Sequence, residues 1–339
     1  IFYDEWPLLS TYYSRILPAK ISIIAIADLM YENQSEMIRL DENNIAKIYD
    51  IAEELSTELK ELEEKEGMKR AEKYSTGLPK PFKGKMNASQ ALSEKRWKDR
   101  FIGKRRKHKD TDKNFFDGLL SALGLVRTFY TEDKKEVFLT LSAKGKEFYS
   151  MDNHVIDVPL EDLDYDKIGS FSPKERKFLI TKSLPERKLE MELIKTAIQE
   201  VNKCTNGTGA IVESLDAKFM DAVETFAESE TDVNVQKKIR EEIINNTINL
   251  REENKKRKAL NEGEVLTPIQ SHRVATMGRL AEMGLVEWNI DKNSKSTYEI
   301  SLKSKYLVSV ILNHWKGGKW LPNFEIPSAD KIKAERDNL

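Results

Sequence analysis

Apolar positions at helical spacing carry most of the pattern along this chain. From Leu17 and Pro18 to about Tyr31 the run is almost uninterrupted and predicts a buried helix. Asp41 offers a cap to a second helix, in which Ile48, Ile51, Leu55, Leu59 and Leu62 form a stripe that reads as core-facing, with a dimerising seam as the alternative. Ser172-Pro173-Lys174-Glu175 combines a cap, a first-turn proline and an acidic third position, the signature of a helix start. Helices are predicted over 173–181, 186–203, 215–228 and 233–260. Thr267 and Pro268 open another. In two places the period changes from helical to two, each time just after a glycine.

Those two places look like copies of one unit. The first runs Phe116 to Leu123, Gly124-Leu125-Val126, a polar tip at 131–135, then Phe138-Leu139-Thr140-Leu141-Ser142. The second runs Val274 to Met283, Gly284-Leu285-Val286, a polar tip at 291–296, then Tyr298-Glu299-Ile300-Ser301. The glycines are 160 positions apart and the serines 159, so the spacing is kept to one residue. A glycine closes an apolar helix, two β-prone residues start a strand, and a polar hairpin returns the chain. Both copies resemble the back half of a winged helix. That resemblance implies a mostly α fold with small β-hairpin wings, two winged-helix domains on a helical scaffold, and binding of double-stranded DNA.

The composition sharpens this only locally. The net charge is -1, with 56 Lys and Arg against 57 Asp and Glu, so any electrostatic argument for nucleic acid must be regional. One region qualifies. From Pro79 to Asn114 there are thirteen basic against four acidic residues, ahead of the first copy. Within it Trp97 and Phe101 are four apart and should pack inward, which leaves Lys95, Arg96, Arg100, Lys104, Arg105, Arg106 and Lys107 for phosphate contact. Lys113, with Lys134 and Lys135 on the first wing, would add to them. In the first copy Asp117 would repel phosphate, so this copy could equally dock protein. In the second copy the predicted core face is Val274, Met277, Leu280 and Ala281. The opposite face would carry His272, Thr276 and Arg279, with Gln270, Ser271 and Arg273 near the helix start, as a major-groove reading set. Lys292 and Lys295 on the second wing would reach the DNA backbone.

Catalytic chemistry finds no foothold in the local motifs. There is no phosphate-binding loop, the four histidines are scattered, and the one cysteine, Cys204, implies neither a disulfide framework nor a zinc site. No catalytic residue, metal ligand or cofactor is expected. The longest apolar run, Ile21 to Met30, is interrupted by Ser22 and Asp28, so no membrane partner is expected either. The expected setting is reducing and intracellular, cytoplasmic or nucleoid-associated.

The chain begins at Ile1 rather than Met and reads as a piece of something longer. The pattern divides it into a helical segment at 1–66, a basic segment with the first wing at 67–151, an acidic linker at 152–171, helices with the second wing at 172–316, and a tail at 317–339. Leu17-Pro18-Ala19-Lys20 through Ala27, with Arg39-Leu40-Asp41-Glu42-Asn43 and Ala46, is similar to the helical lid that follows the ATPase core of replicative helicases. That resemblance implies a non-catalytic part of a replication or DNA-processing system, with a missing N-terminal ATPase portion or a protein partner. Two wings joined by a helical segment also resemble the recognition half of some type IIS restriction endonucleases, which implies a sequence-recognition module lacking its nuclease. A dimeric transcriptional regulator and a protein-interaction scaffold are the remaining alternatives.

Overall fold

A computed structural model describes residues 9, 14–68, 73–79, 88–107, 114–131, 133, 135–157, 169–204, 212–290 and 296–321. The molecule is mostly helical, with small antiparallel sheets of two or three strands. The described residues form two compact units that divide at Glu186 and Arg187.

In the first unit α1 (Leu17–Glu32) is the core helix, buried along most of its length because its residues are apolar nearly all round. A two-residue strand, β1 (Ile38–Arg39), follows. Helix α2 (Glu42–Lys65) starts at Asp41, whose carboxylate accepts from the Asn44 amide at 2.9 Å. Its predicted stripe lies inward: Ile48 and Leu59 are fully buried and Ile51, Leu55 and Leu62 line the margin. That leaves little of the stripe to serve as a dimer seam. The loop at 73–79 is clamped onto α2 through Glu63, which accepts from the Ser75 amide and hydroxyl at 2.7 Å each.

Helix α3 (Ala88–Phe101) leads into the hairpin β2 (Lys104–Lys107) and β3 (Asn114–Asp117), and then a single turn, α4 (Leu119–Ala122). The helix predicted from Phe116 is therefore a strand at its start and only one turn long. Backbone crowding explains this. A Cβ on Gly118 would stand 2.5 Å from the Gly103 Cα, so the two chains touch at the root of the hairpin and Gly118 is held extended. Strands β4 (Val126–Tyr130) and β5 (Val137–Leu141) form the hairpin of the first copy. β1 joins the free edge of β5, which gives the sheet order β1-β5-β4. The sequence pattern gave no sign of β1, which is too short for periodicity to register.

A short helix, α5 (Ala143–Tyr149), packs against α1. The Lys20 ammonium of α1 is 1% exposed. It donates to the carbonyls of Phe148 at 2.5 Å and Met151 at 2.6 Å, and lies 3.2 Å from Glu175. Glu175 belongs to α6 (Pro173–Phe178) and closes the predicted capping box with Ser172, while Asn153 donates to the same carboxylate at 2.9 Å. Burial pushes the Glu175 carboxyl above its ordinary range, against the pull of Lys20. This network binds the helix at 173 into the first unit. The chain continues through a π turn at Leu179–Ser183 and a 3-10 turn at Leu184–Glu186.

The second unit is built from α7 (Lys188–Lys203), α8 (Val212–Ser229), α9 (Val233–Ile239), a π turn at Arg240–Asn245, α10 (Asn246–Ala259) and α11 (Pro268–Glu282). The helix predicted over 233–260 thus carries a widened turn. The extra width keeps Ile239, Ile243 and Thr247, each four apart, on the buried side. Strands β6 (Val286–Ile290) and β7 (Ser296–Ile300) pair as the hairpin of the second copy, followed by α12 (Lys305–His314) and a small hairpin, β8 (Trp315–Lys316) with β9 (Lys319–Trp320).

The two copies share the backbone bonds of the closure, although Ser142 donates its hydroxyl to the Gly124 carbonyl whereas Ser304 does so to that of Gly284. Gly124 and Gly284 have φ of 70° and 67°. Their amides bond Ser121 and Ala281, and the next amides bond Leu120 and Leu280, the paired closure of a Schellman motif. Ser142 and Ser301 then donate their amides to Leu125 and Leu285 at 2.9 and 3.2 Å.

Helix α11 is the core of the second unit, packed on α7, α8 and β6. Arg279 on it is 0% exposed and donates its Nε to Glu190 of α7 at 3.0 Å. We expect Arg279→Ala to lower stability by about 3–5 kcal/mol, because it strands a buried carboxylate. Replacing both partners with Arg279→Met and Glu190→Leu should recover most of that loss. Urea unfolding of the two variants checks this, and a single variant as stable as the native chain would contradict it.

Candidate nucleic-acid interface

A run of exposed cations in the first unit lies on two consecutive elements, α3 and β2. Trp97 is 5% exposed and packs against Tyr49 of α2 at 5.6 Å and Phe101 at 5.3 Å, which turns the rest of α3 outward. Lys95, Arg96 and Arg100 are accordingly exposed, as are Lys104, Arg105, Arg106 and Lys107 on β2. From Glu94 to Lys107 there are eight basic residues and two acidic ones.

A strand sends alternate side chains to opposite faces. On one face of the arm Lys104 lies 3.3 Å from Asp99, and Arg106 pairs with Asp117. Asp117, read from the sequence as a repeller of phosphate, is thus engaged by an arm cation. From the other face Arg105 stacks over the Tyr130 ring at 5.1 Å, which braces the arm against the end of β4. Burial pushes the Tyr130 hydroxyl above its ordinary value, with Arg105 opposing, so the phenol stays neutral under physiological conditions. The arm's root is fixed by Gly103, at φ +107°, whose Cβ would meet the Asp117 carbonyl at 2.8 Å. Lys135 is exposed near Asp133 at 3.7 Å. Lys113, Lys134, Lys292 and Lys295 lie outside the described residues.

The second copy corrects the sequence reading. Arg279 and Thr276 are fully buried and Arg273 is 8% exposed, whereas Val274, expected in the core, is 45% exposed. The polar stripe of α11 faces inward because carboxylates wait for it on the facing helices: Glu190 takes Arg279, and Asp216 of α8 takes Arg273 at 2.5 Å. Gln270 is spent on the capping box, accepting from the Thr267 amide at 3.0 Å. Ser271 is half-buried. His272 is mostly buried, and burial with the nearby Arg279 charge pushes its pKa down to about 3. This helix therefore offers no row of polar side chains to a groove. The missed signal was Glu190 itself, a carboxylate among the apolar positions Leu189, Met191, Leu193 and Ile194, where a charge demands a partner.

Among the described residues no group of three or more His, Cys, Asp or Glu side chains could hold a metal ion, and no helix is long and apolar enough to cross a membrane. An open groove between α7 and α8, with Gly317 and Gly318 at its rim, is lined by charges of both signs, among them the pairs Lys203–Glu200 at 2.5 Å and Lys218–Asp221 at 3.3 Å. Comparison with known proteins placed the chain in no group: no protein-family description, no curated protein and no solved structure matches it.

The His272 environment has a measurable consequence. Below its ordinary pKa of 6.5 the unfolded chain takes up a proton that the folded chain refuses until about pH 3. The stability tied to this group is therefore complete above pH 6.5 and is lost as pH falls. Going from pH 7 to pH 5 should cost about 1–2 kcal/mol in urea unfolding. His272→Gln should flatten that dependence, and an unchanged slope in the variant would show that other groups set it.

Proposed function

We propose that this chain binds double-stranded DNA through its first unit, as a non-catalytic part of a DNA-processing system. The observation that carries this is the exposed cationic surface of α3 and β2, with eight basic residues against two acidic ones over fourteen positions of a chain whose net charge is -1. Such a surface suits a phosphate backbone and reads no bases by itself. The helix, hairpin and early edge strand of the first unit, in the order β1-β5-β4, are similar to a winged helix. On that reading the short helix ahead of the first hairpin, α4, is buried, and α3 with the basic arm supplies the phosphate contacts instead. The second copy then serves as scaffold, because α11 is enclosed by its own unit.

Binding should accordingly be salt-sensitive and weakly selective. Replacing Lys104, Arg105, Arg106 and Lys107 together with alanine should weaken random-sequence duplex binding and lower the slope of log affinity against log salt by about 2–4. Fluorescence anisotropy at several salt concentrations reads both quantities. Native affinity and slope in the quadruple variant would overturn the proposed face.

A further inference from the structure

The outward face of the first wing differs in chemistry from the same face of the second, although the two hairpins share one backbone. Directly opposite residues in an antiparallel pair project to the same side. Arg127 faces Thr140, Phe129 faces Phe138, and Phe138 in turn faces Arg39 of β1. Phe129 is 46% exposed and Met37, just ahead of β1, is 41% exposed. Arg39 is tied to Glu136 at 2.8 Å, while Arg127 is exposed and in no ion pair with a described residue. The inward residues of this hairpin are Val126, Leu139 and Leu141, which need no help from an exposed phenylalanine.

The second copy supplies the control. Val286 and Ile300 keep the inward positions of Val126 and Leu141. Outward, Arg127 and Phe129 are replaced by Glu287 and Asn289, and Phe138 and Thr140 by Thr297 and Glu299. The second hairpin, which has no third strand, folds with a polar, acidic face, so exposed Phe129 and Arg127 are not demanded by the hairpin itself.

We propose that the outward face of the first wing, with exposed Phe129, half-buried Phe138 opposite it across the strands and Arg127 at the corner, is a stacking platform for unpaired nucleobases of a single strand. Aromatic rings accept the π-face of any base, and arginine supplies both charge for phosphate and a second stacking plane. A duplex hides its base faces and cannot use such a surface. The platform is separate from the cationic arm, so this inference and the duplex reading can fail independently.

The test compares three fluorescent probes by anisotropy: a dT 12-mer, an abasic strand of the same length, and a duplex. The native chain should prefer dT over the abasic strand by roughly 10-fold or more. Phe129→Asn with Phe138→Thr installs residues the second copy already carries, and should abolish that preference while leaving duplex affinity unchanged. Thermal unfolding confirms that the variant is folded. Arg127→Glu, a surface change, should weaken the dT strand several-fold on its own. Equal native binding of dT and abasic strands, or a double variant that keeps its preference for dT, would overturn the platform. Absence of dT binding altogether would overturn it as well, and leave the face to a protein partner.

Discussion

A charge withdrawn from water must be met inside the protein, and each unit is organised around one such meeting. In the first unit Lys20 holds the carbonyls at the end of α5 and the carboxylate of Glu175, so one ammonium fastens α1, α5 and α6 together. In the second, Glu190 on α7 takes Arg279 from α11 with neither side chain exposed. Such pairs contribute little net stability over apolar packing, yet removing one partner is severe. Their effect is to dictate which face of each helix turns inward, and that choice decides which surfaces remain for other molecules.

How far this was legible in the sequence differs by element. Caps were readable because they are local: Asp41, Ser172 and Thr267 each accept from an amide three positions on, as their residue types require. The repeated closure at Gly124 and Gly284 was readable for the same reason. The inward residues Trp97 and Phe101 followed from simple helical spacing. The orientation of α11 was not readable from its own pattern. Arg273, Thr276 and Arg279 look like a solvated stripe until Asp216 and Glu190 are seen opposite them, some 57 and 89 positions away in the chain. Polar residues that pair across helices mimic an exposed face, and only the carboxylate stranded among leucines gives the pairing away. The strand at Asn114–Asp117 was hidden by a different cause, the contact of two glycine backbones, which no hydrophobic period reports.

The two copies illustrate how a shared backbone can carry unlike duties. Conserving the amide bonds around the glycines keeps the hairpin, while the residues facing away from the core are free to change sign. On the reading proposed here the first copy meets nucleic acid and the second has turned its helix into structural core. The exposed helix α10 fits the same division. Of its residues only Thr247 is buried, and through its hydroxyl it accepts from the Ile269 amide near the start of α11.

The contact between Gly103 and Gly118 pins the root of the basic hairpin. The chain leaves and re-enters the unit at one point, with no room there for a methyl group. Strands β2 and β3 close on this junction, with Phe116 buried beside it, while the side chains of β2 stay exposed, so their charge can change without disturbing the junction. A lineage could neutralise the exposed side chains of β2 in a few steps, whereas each glycine at the junction is held by sterics. Change in such a protein would be fast along the arm and nearly frozen at its root.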